Sequence, residues 1–497
     1  MHGSMMLAAL ALLTAKQTAA DNVLVRPWGE NTLRVQVAPA SYTLTDSLPT
    51  AYLPGGAPST SLDMGGGFGT EGFGSALPSI DAGPVTSGNI KATQDADGML
   101  TFTRVSDSTL LFKESARTFS TPASGADSSV TFDFSSSATK LYGMGQNRQN
   151  QNGPGLGLNV AGQTYSFAKS IGYEGGPSNS LPWVLGADPT TGFQFGFLFN
   201  SPAMGGAVHT ATNMTWSIIG DAGNQNLRQQ FDFLITTHAA AAKPEDKPFQ
   251  MIEKYVDAVG HARKMPWPGY WHSRNRYASQ QELLTAARGF HNRSVPVDVI
   301  VIDWFHWKIM GDWSFNPQAW PDPKAMVDEC RSYGMEIMVS VWAFTCPGSR
   351  SYDMLTKNNW VTTYVGADGK RTDMPIDTHG KNCRLVDPTV EASRKYVWSL
   401  IGEWRPPFSV SSTQRTAQGS VLYHLPFPSK YLTLLIYGAE SGYYQYGIKI
   451  FWLDASEPEG FGPNTVLNAS WAAGDMRDMG SLFTLYWTQV RQLCYQR

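Results

Sequence analysis

Val297-Asp-Val-Ile-Val-Ile302, bounded by Pro296 and followed by Asp303-Trp-Phe-His-Trp307, is a β-branched run of strand length. It is almost continuously apolar, the pattern of a strand buried on both faces, as in parallel sheets. Helix signals lie on either side. Upstream, Ser279-Gln-Gln-Glu282 is a capping box that opens a helix through Phe290. Downstream, Asp322-Pro323 supplies an N-cap and a proline at the first helical position, and that helix runs to Tyr333 and stops at Gly334. The alternation then repeats. Glu336-Ile-Met-Val-Ser-Val341 reads as a strand, Thr389–Ile401 as a helix after Asp387-Pro388, and Ile448-Lys-Ile-Phe-Trp-Leu453 as a further strand. A helical stretch near Phe249–Val259 leads into the series. Each strand ends at a polar or aromatic residue: Asp303, Trp342, Asp454. Ligands sit at the strands' C-terminal ends in (β/α)8 barrels and in doubly wound sheets alike, so this placement does not choose between them.

The first half of the 497-residue chain has a different texture. Residues 21–245 lack helical periodicity and carry short alternating runs, Leu33-Arg-Val-Gln-Val37, Leu100-Thr-Phe-Thr-Arg104 and Phe193-Gln-Phe-Gly-Phe197. Alternation of period two marks strands with one buried face, and the Gly/Ser/Thr/Pro clusters between them mark turns. The expectation is a β-sandwich over 21–245, followed by an α/β unit over 246–497. Gly67-Phe-Gly-Thr-Glu-Gly72 matches GxGxxG, but no apolar strand precedes it and no helical pattern follows, so it reads as a surface loop.

Composition excludes several classes. Net charge is −3 and only 16% of residues are charged, which argues against a nucleic-acid binder working through phosphate neutralisation. No apolar run is long enough for a membrane span. The four cysteines, Cys330, Cys346, Cys383 and Cys494, form no CxxC pair, so a Cys-rich zinc site or redox motif is not expected. HExxH, P-loop and nucleophile-elbow motifs are absent from the sequence. Residues 1–20 carry an apolar stretch from Met5 to Leu13 and then Thr18-Ala19-Ala20. They read as a signal peptide, which makes a secreted protein the expectation. The sequons at Asn213, Asn292 and Asn468 are compatible with that.

Two segments carry candidate chemistry. In Phe451-Trp-Leu-Asp-Ala-Ser-Glu-Pro-Glu-Gly460, Asp454 ends a buried strand, and Glu457 and Glu459 follow within five residues. Three carboxylates in one short loop repel one another and are costly unless a site uses them. The loop alone is open to metal binding, to glycosidic chemistry, or to Asp454 capping a helix beside solvated glutamates. In Asp303-Trp-Phe-His-Trp307 one carboxylate stands among three large aromatics, which suits a sugar: rings cover its C–H face and the carboxylate accepts from hydroxyls. A hydrophobic lid with a capping aspartate fits the same residues. His306 alone is better read as a hydrogen-bonded structural histidine.

At these residues the chain resembles glycoside hydrolase family 31, the α-glucosidases and α-xylosidases. Phe451–Glu459 looks like its nucleophile motif, and Val297–Trp307 with Gly311–Met326 like its second-strand block. Gly334–Trp342 resembles its third strand, and Leu141-Tyr-Gly-Met-Gly-Gln146 a motif of the preceding β-sandwich. The resemblance covers most of 140–400 and 440–489. It implies an N-terminal β-sandwich followed by a (β/α)8 barrel, of which this chain carries strands one to four. It also implies a retaining exo-α-glycosidase acting on terminal α-linked glucose or xylose of an oligosaccharide or polysaccharide, with no metal or organic cofactor. On that resemblance Asp454 is the nucleophile, Glu457 supports it, and Asp303, Trp342 and Trp452 bind the sugar.

The chain departs from the family in two places. A retaining glycosidase needs a second carboxyl as acid/base, which in the family follows the sixth barrel strand, whereas here 43 residues follow Asp454. The expectation is that the acid/base is not present in this sequence and that the chain as written is poorly soluble or inactive. A non-catalytic sugar-binding protein and a non-functional fragment are the alternatives. Glu457 and Glu459 are poor substitutes, because they share the nucleophile's own loop. The second departure is the stretch Trp404–Ala439, which has no counterpart in the family and contains no Asp or Glu in a chain that has 41. We read it, with the last eight residues, as translated non-coding sequence; the alternative is a genuine family-specific insertion. Sequencing of the transcript is expected to show messages that skip this stretch, and reads that encode it in most molecules would contradict the expectation.

Overall fold

The computed structural model describes residues 21–44, 83–120, 126–146, 163–166, 179–218, 229–260, 267–366, 370–377, 380–402, 442–456, 469–479 and 482–492. The expected leader at 1–20, the Gly67–Gly72 loop, Glu457, Glu459, the Trp404–Ala439 stretch and residues 493–497 lie outside them.

Two antiparallel sheets face each other in the N-terminal half. The first has the order Asn22–Pro27, Thr32–Ala38, Phe231–Thr236, Gly192–Phe199, Asn179–Asp188, Lys140–Gln146. The second runs Val85–Ser87, Ile90–Gln94, Leu100–Arg104, Leu110–Thr118, Ser128–Phe134, Asn213–Ile218, Gly205–His209, Gln163–Ser166. Phe102, Phe112 and Phe132 of the second sheet interleave with Phe197 and Phe233 of the first, and all are fully buried. Ring centroids lie 5.1 Å apart for Phe112–Phe132 and 5.4 Å for Phe132–Phe233, edge to face, the favoured packing of aromatic pairs. This is the β-sandwich expected of the alternating runs.

One detail differs from that expectation. Leu33–Val37 alternates in sequence, yet the whole strand is buried, Arg34 and Gln36 included. The outer face of this sheet is covered by the helix Lys247–Val259, through Trp28, Trp183, Leu234, Met251 and Ala258. Arg34 is tolerated there because its guanidinium makes a two-pronged ion pair with Asp232 and lies over Trp28 at 4.8 Å.

The second half is built on a four-stranded parallel sheet in the order Trp271–His272, Val299–Ile302, Glu336–Trp342, Ile450–Asp454. Among the described residues this sheet is open and no barrel closes. The helices Gln280–Asn292, Pro323–Ser332 and Glu391–Ile401 connect or flank the strands as the sequence signals require. The Ser279 side chain accepts from the Glu282 N–H at 3.2 Å. Glu282 reaches back to the Ala278 N–H at 2.7 Å, one residue earlier than a capping box predicts. Asp322 accepts from the Ala325 N–H at 2.9 Å, and Gly334 ends that helix at φ +81°. Ile300, Ile302, Ile337, Val339, Val341 and Phe451 pack on the helices in the larger core. Met204, from the sandwich, joins this core, and its N–H donates to the Arg477 carbonyl at 2.7 Å.

A disulfide joins Cys346, beyond the third parallel strand, to Cys383, 37 residues later. No spacing rule flags such a pair in sequence. Another close approach lies further on. A Cβ placed on Gly442 would stand 2.6 Å from the Gly402 carbonyl oxygen and 2.7 Å from that of Ile401. The described chain therefore resumes at Gly442 in contact with the point, Gly402, where it leaves off.

Two outcomes are expected. Replacing 403–441 by two glycines leaves a soluble chain whose thermal midpoint is unchanged or higher, and loss of the cooperative melt in that deletion would contradict the closeness of its ends. Replacing Cys346 and Cys383 together by serine costs about 3 kcal/mol, read by denaturant unfolding under oxidising conditions.

Candidate active site

Parallel register decides what faces what. Val301 pairs with Met338, and Met338 with Ile450. Since side chains alternate along a strand, Val299, Val301 and Asp303 share one face with Met338, Ser340 and Trp342, and with Ile450, Trp452 and Asp454. Val299, Val301, Met338 and Ile450 form a small apolar floor on that face, with Trp267 and Trp271 packed against it. Above the floor, at the strands' C-terminal ends, stand Asp303, Trp342, Trp452 and Asp454. All four predicted site residues that the structure describes therefore share one face and one end of the sheet.

Trp342 and Asp454 are direct register partners. The Asp454 Oδ1 accepts from the Ala455 N–H at 2.9 Å, and Ala455 is buried at φ +54°. A non-glycine residue in the left-handed region stores about 1–3 kcal/mol of strain and turns the chain sharply just after the carboxylate. Trp452 is 39% exposed, a large ring left open to solvent one step below Asp454. Such a ring suits a ligand's apolar face.

Asp303 is held more elaborately. Its Oδ1 accepts from the Trp304 N–H at 2.7 Å. Burial pushes its carboxyl above the ordinary range, and the Trp304 N–H pulls the other way. The backbone turns at Phe305, φ +61°. His306, fully buried, hydrogen-bonds the Asp303 carbonyl through Nδ1 at 2.9 Å and the Tyr443 hydroxyl through Nε2 at 2.6 Å. Burial lowers the His306 pKa to about 4, so the ring is neutral at pH 7. The neutral ring then donates from Nδ1 to the carbonyl and accepts the tyrosine proton at Nε2. His306 is a structural clamp, as its sequence context suggested. Its tyrosine partner lies 137 residues away, and no local pattern could have named it.

The aromatic wall is built in layers. Trp304 stacks on Trp342 with centroids 5.3 Å apart and planes 7° from parallel. The Trp304 indole donates to the Asn275 Oδ1 at 2.7 Å, and the Trp313 indole to the Trp342 carbonyl at 3.0 Å. Arg276 lies over Trp304 and Phe305. Sequence reasoning missed Asn275 and Arg276, which follow the first, very short strand. Among the described residues no group of three His, Cys, Asp or Glu is placed to hold a metal ion, and no helix is long and apolar enough to cross a membrane.

Several known proteins of one family resemble this chain. The family model for the glycosyl hydrolases family 31 TIM-barrel domain matches residues 267–414. The chain is 28% identical over 465 residues to an uncharacterized family 31 glucosidase ORF2 from Pseudescherichia vulneris, covering 88% of this chain and 70% of that protein. It is 24% identical to alpha-xylosidase A of Aspergillus niger, covering 93% of this chain and 58% of that enzyme. Among solved structures it resembles a GH31 alpha-xylosidase from a soil metagenome, complexed with xylose. The TM-score is 0.69 at 25% identity, over 95% of this chain and 60% of that one. The chain thus spans 58% and 60% of the two xylosidases.

His306 also fixes a pH dependence. Its folded pKa lies below that of the unfolded chain, about 6.5. The unfolded state therefore binds the proton first, and stability is full above about pH 6.5 and falls as pH drops toward 4. The loss is roughly 3 kcal/mol. The raised Asp303 carboxyl acts in the opposite sense at the acidic end. In His306→Asn the slope between pH 6.5 and 4 flattens, as checked by urea unfolding at stepped pH.

Proposed function

This chain belongs to glycoside hydrolase family 31, and from that premise we propose that it is a retaining exo-α-glycosidase releasing terminal α-linked glucose or xylose. The observation that carries the reading is the shared face of Asp454, Trp452, Trp342 and Asp303 at the C-terminal ends of a parallel sheet, the end where barrel enzymes keep their chemistry.

In this reading the Asp454 carboxylate attacks the anomeric carbon as the leaving oxygen departs with a proton, giving a glycosyl ester. Water then cleaves the ester, and the sugar leaves with its configuration kept. The hydrogen bond from the Ala455 N–H fixes the orientation of the Asp454 carboxylate. Asp303 is assigned to substrate hydroxyls rather than to proton transfer. Its strand is separated from that of Asp454 by one other, about 10 Å across at ordinary strand spacing, wider than the 5–5.5 Å or so between the carboxyls of a retaining pair. Trp342 and Trp452 wall the sugar, and Glu457 supports the nucleophile. No residue among those described is assigned the acid/base.

Xylose and glucose differ by one hydroxymethyl group. Named xylosidases among the relatives favour xylose, and the similarity to a named glucosidase keeps glucose in the proposal. We also propose a secreted protein. The Cys346–Cys383 disulfide supports this, because such bonds persist in oxidising compartments.

The test uses an aryl α-xyloside and an aryl α-glucoside with an activated phenol, which leaves with little help from an acid. Hydrolysis is expected to fall about 10³-fold or more in Asp454→Asn, with sugar binding kept. Asp303→Asn is expected to weaken binding about tenfold, read by intrinsic tryptophan fluorescence. Binding of sugar by the parent with no hydrolysis of either substrate would favour a non-catalytic carbohydrate-binding protein.

A further inference from the structure

Beside the aromatic wall lies an open cavity of about 280 Å³ that the proposed hydrolysis does not use. Phe305, Trp307, Met310 and Pro347 give it an apolar lining, and Lys308 and Lys381 supply its charge. The two lysines come from different segments. Lys308 follows the second parallel strand. Lys381 stands two residues before Cys383, whose disulfide to Cys346 fixes its loop against the segment beyond the third strand. Among the described residues no acidic side chain lines the cavity.

Lys308 and Lys381 have no ion-pair or hydrogen-bond partner among the described residues. Arg276, from the loop after the first strand, lies over the Phe305 ring with its guanidinium 4.9 Å from the centroid. The carboxylates of the neighbouring segments have other hydrogen-bond donors. The Asp312 oxygens accept from the Ile309 and Arg350 N–H groups at 2.9 and 3.1 Å, Asp377 accepts from the Asn382 N–H at 2.8 Å, and Asp373 pairs with Arg384. Phe305 is 40% exposed and held at φ +61°, so the turn that orients Asp303 also leaves an aromatic ring at the cavity's edge. Gathering like charges beside exposed aromatic surface costs free energy that a bound anion recovers.

We propose that this cavity is a subsite for a saccharide unit bearing an oxyanion, its ring against Phe305 and its charge between Lys308 and Lys381. The size, at the lower end of ligand pockets, suits one ring rather than an extended chain. That the ligand is a saccharide rests on the glycosidase reading. That it is anionic rests on the cavity alone. The substrate would then be a neutral terminal sugar α-linked to an acidic unit.

The experiment measures binding of D-glucuronate, D-glucose 6-sulfate and D-glucose to the full chain by saturation-transfer NMR and intrinsic tryptophan fluorescence. At least one charged sugar is expected to bind about tenfold more tightly than glucose, with the preference falling in about 0.5 M NaCl. Whichever binds more tightly identifies carboxylate or sulfate as the group recognised. In Lys308→Gln with Lys381→Gln the preference is expected to disappear while the thermal melt stays that of the parent. Equal binding of charged and neutral sugars, or a preference that survives the double substitution, would overturn the subsite. Assaying hydrolysis by the parent alongside the titration separates the two proposals. A charged-sugar preference in a chain that hydrolyses nothing leaves the subsite standing without the glycosidase, and hydrolysis without the preference does the reverse.

Discussion

Trp342 sits opposite Asp454 in a parallel ladder, and the same ladder sets Val339 opposite Ile302. A slip of one residue in either pairing would turn Asp454 or Asp303 toward the helices, into a core of isoleucine, valine and phenylalanine. An ionised carboxylate there would be unaffordable. Burial of Ile300, Ile302, Ile337, Val339, Val341 and Phe451 against the helices therefore does two things at once. It stabilises the sheet, and it fixes which side chains reach the open face. The candidate site follows from a packing constraint rather than from attraction among its own polar groups.

The strand ends are then locked by contacts of long range. His306 holds the Asp303 carbonyl with one ring nitrogen and the Tyr443 hydroxyl with the other, so the turn after the second strand is tied to the approach of the fourth. Trp304 is stacked on Trp342 and tethered to Asn275, which binds the first three strand ends into one wall. The left-handed residues Phe305 and Ala455 sit just past the two carboxylates. Backbone strain at Ala455 is held by its burial.

Much of this was legible in the residues. The apolar runs ending at Ile302, Trp342 and Asp454 are strands of one parallel sheet, and Ser279 and Asp322 cap the helices they were expected to cap. These signals are local, set by periodicity and capping chemistry within a few residues. What could not be read was set by tertiary contact. The buried face of Leu33–Val37 depends on a helix over 200 residues away. The Cys346–Cys383 bond and the His306–Tyr443 pair have no sequence spacing that marks them. Trp271–His272 is too short to show a period at all. The anticipated barrel is represented among the described residues by an open four-stranded sheet, and Glu457 and Glu459 lie outside them.

The central claim is that Asp454 is a nucleophile, and covalent trapping tests it most directly. A 5-fluoro-α-D-xylosyl or α-D-glucosyl fluoride loses fluoride without needing a proton, so the assay does not depend on where the acid/base comes from. On the proposed mechanism the Asp454 carboxylate forms the ester as the C–F bond breaks, and the ring fluorine slows its hydrolysis. The account predicts a mass increase of one fluorosugar per chain, located by peptide mapping to the segment containing Asp454 and absent from Asp454→Asn. A label on another residue, or none under conditions where the sugar binds, would contradict it.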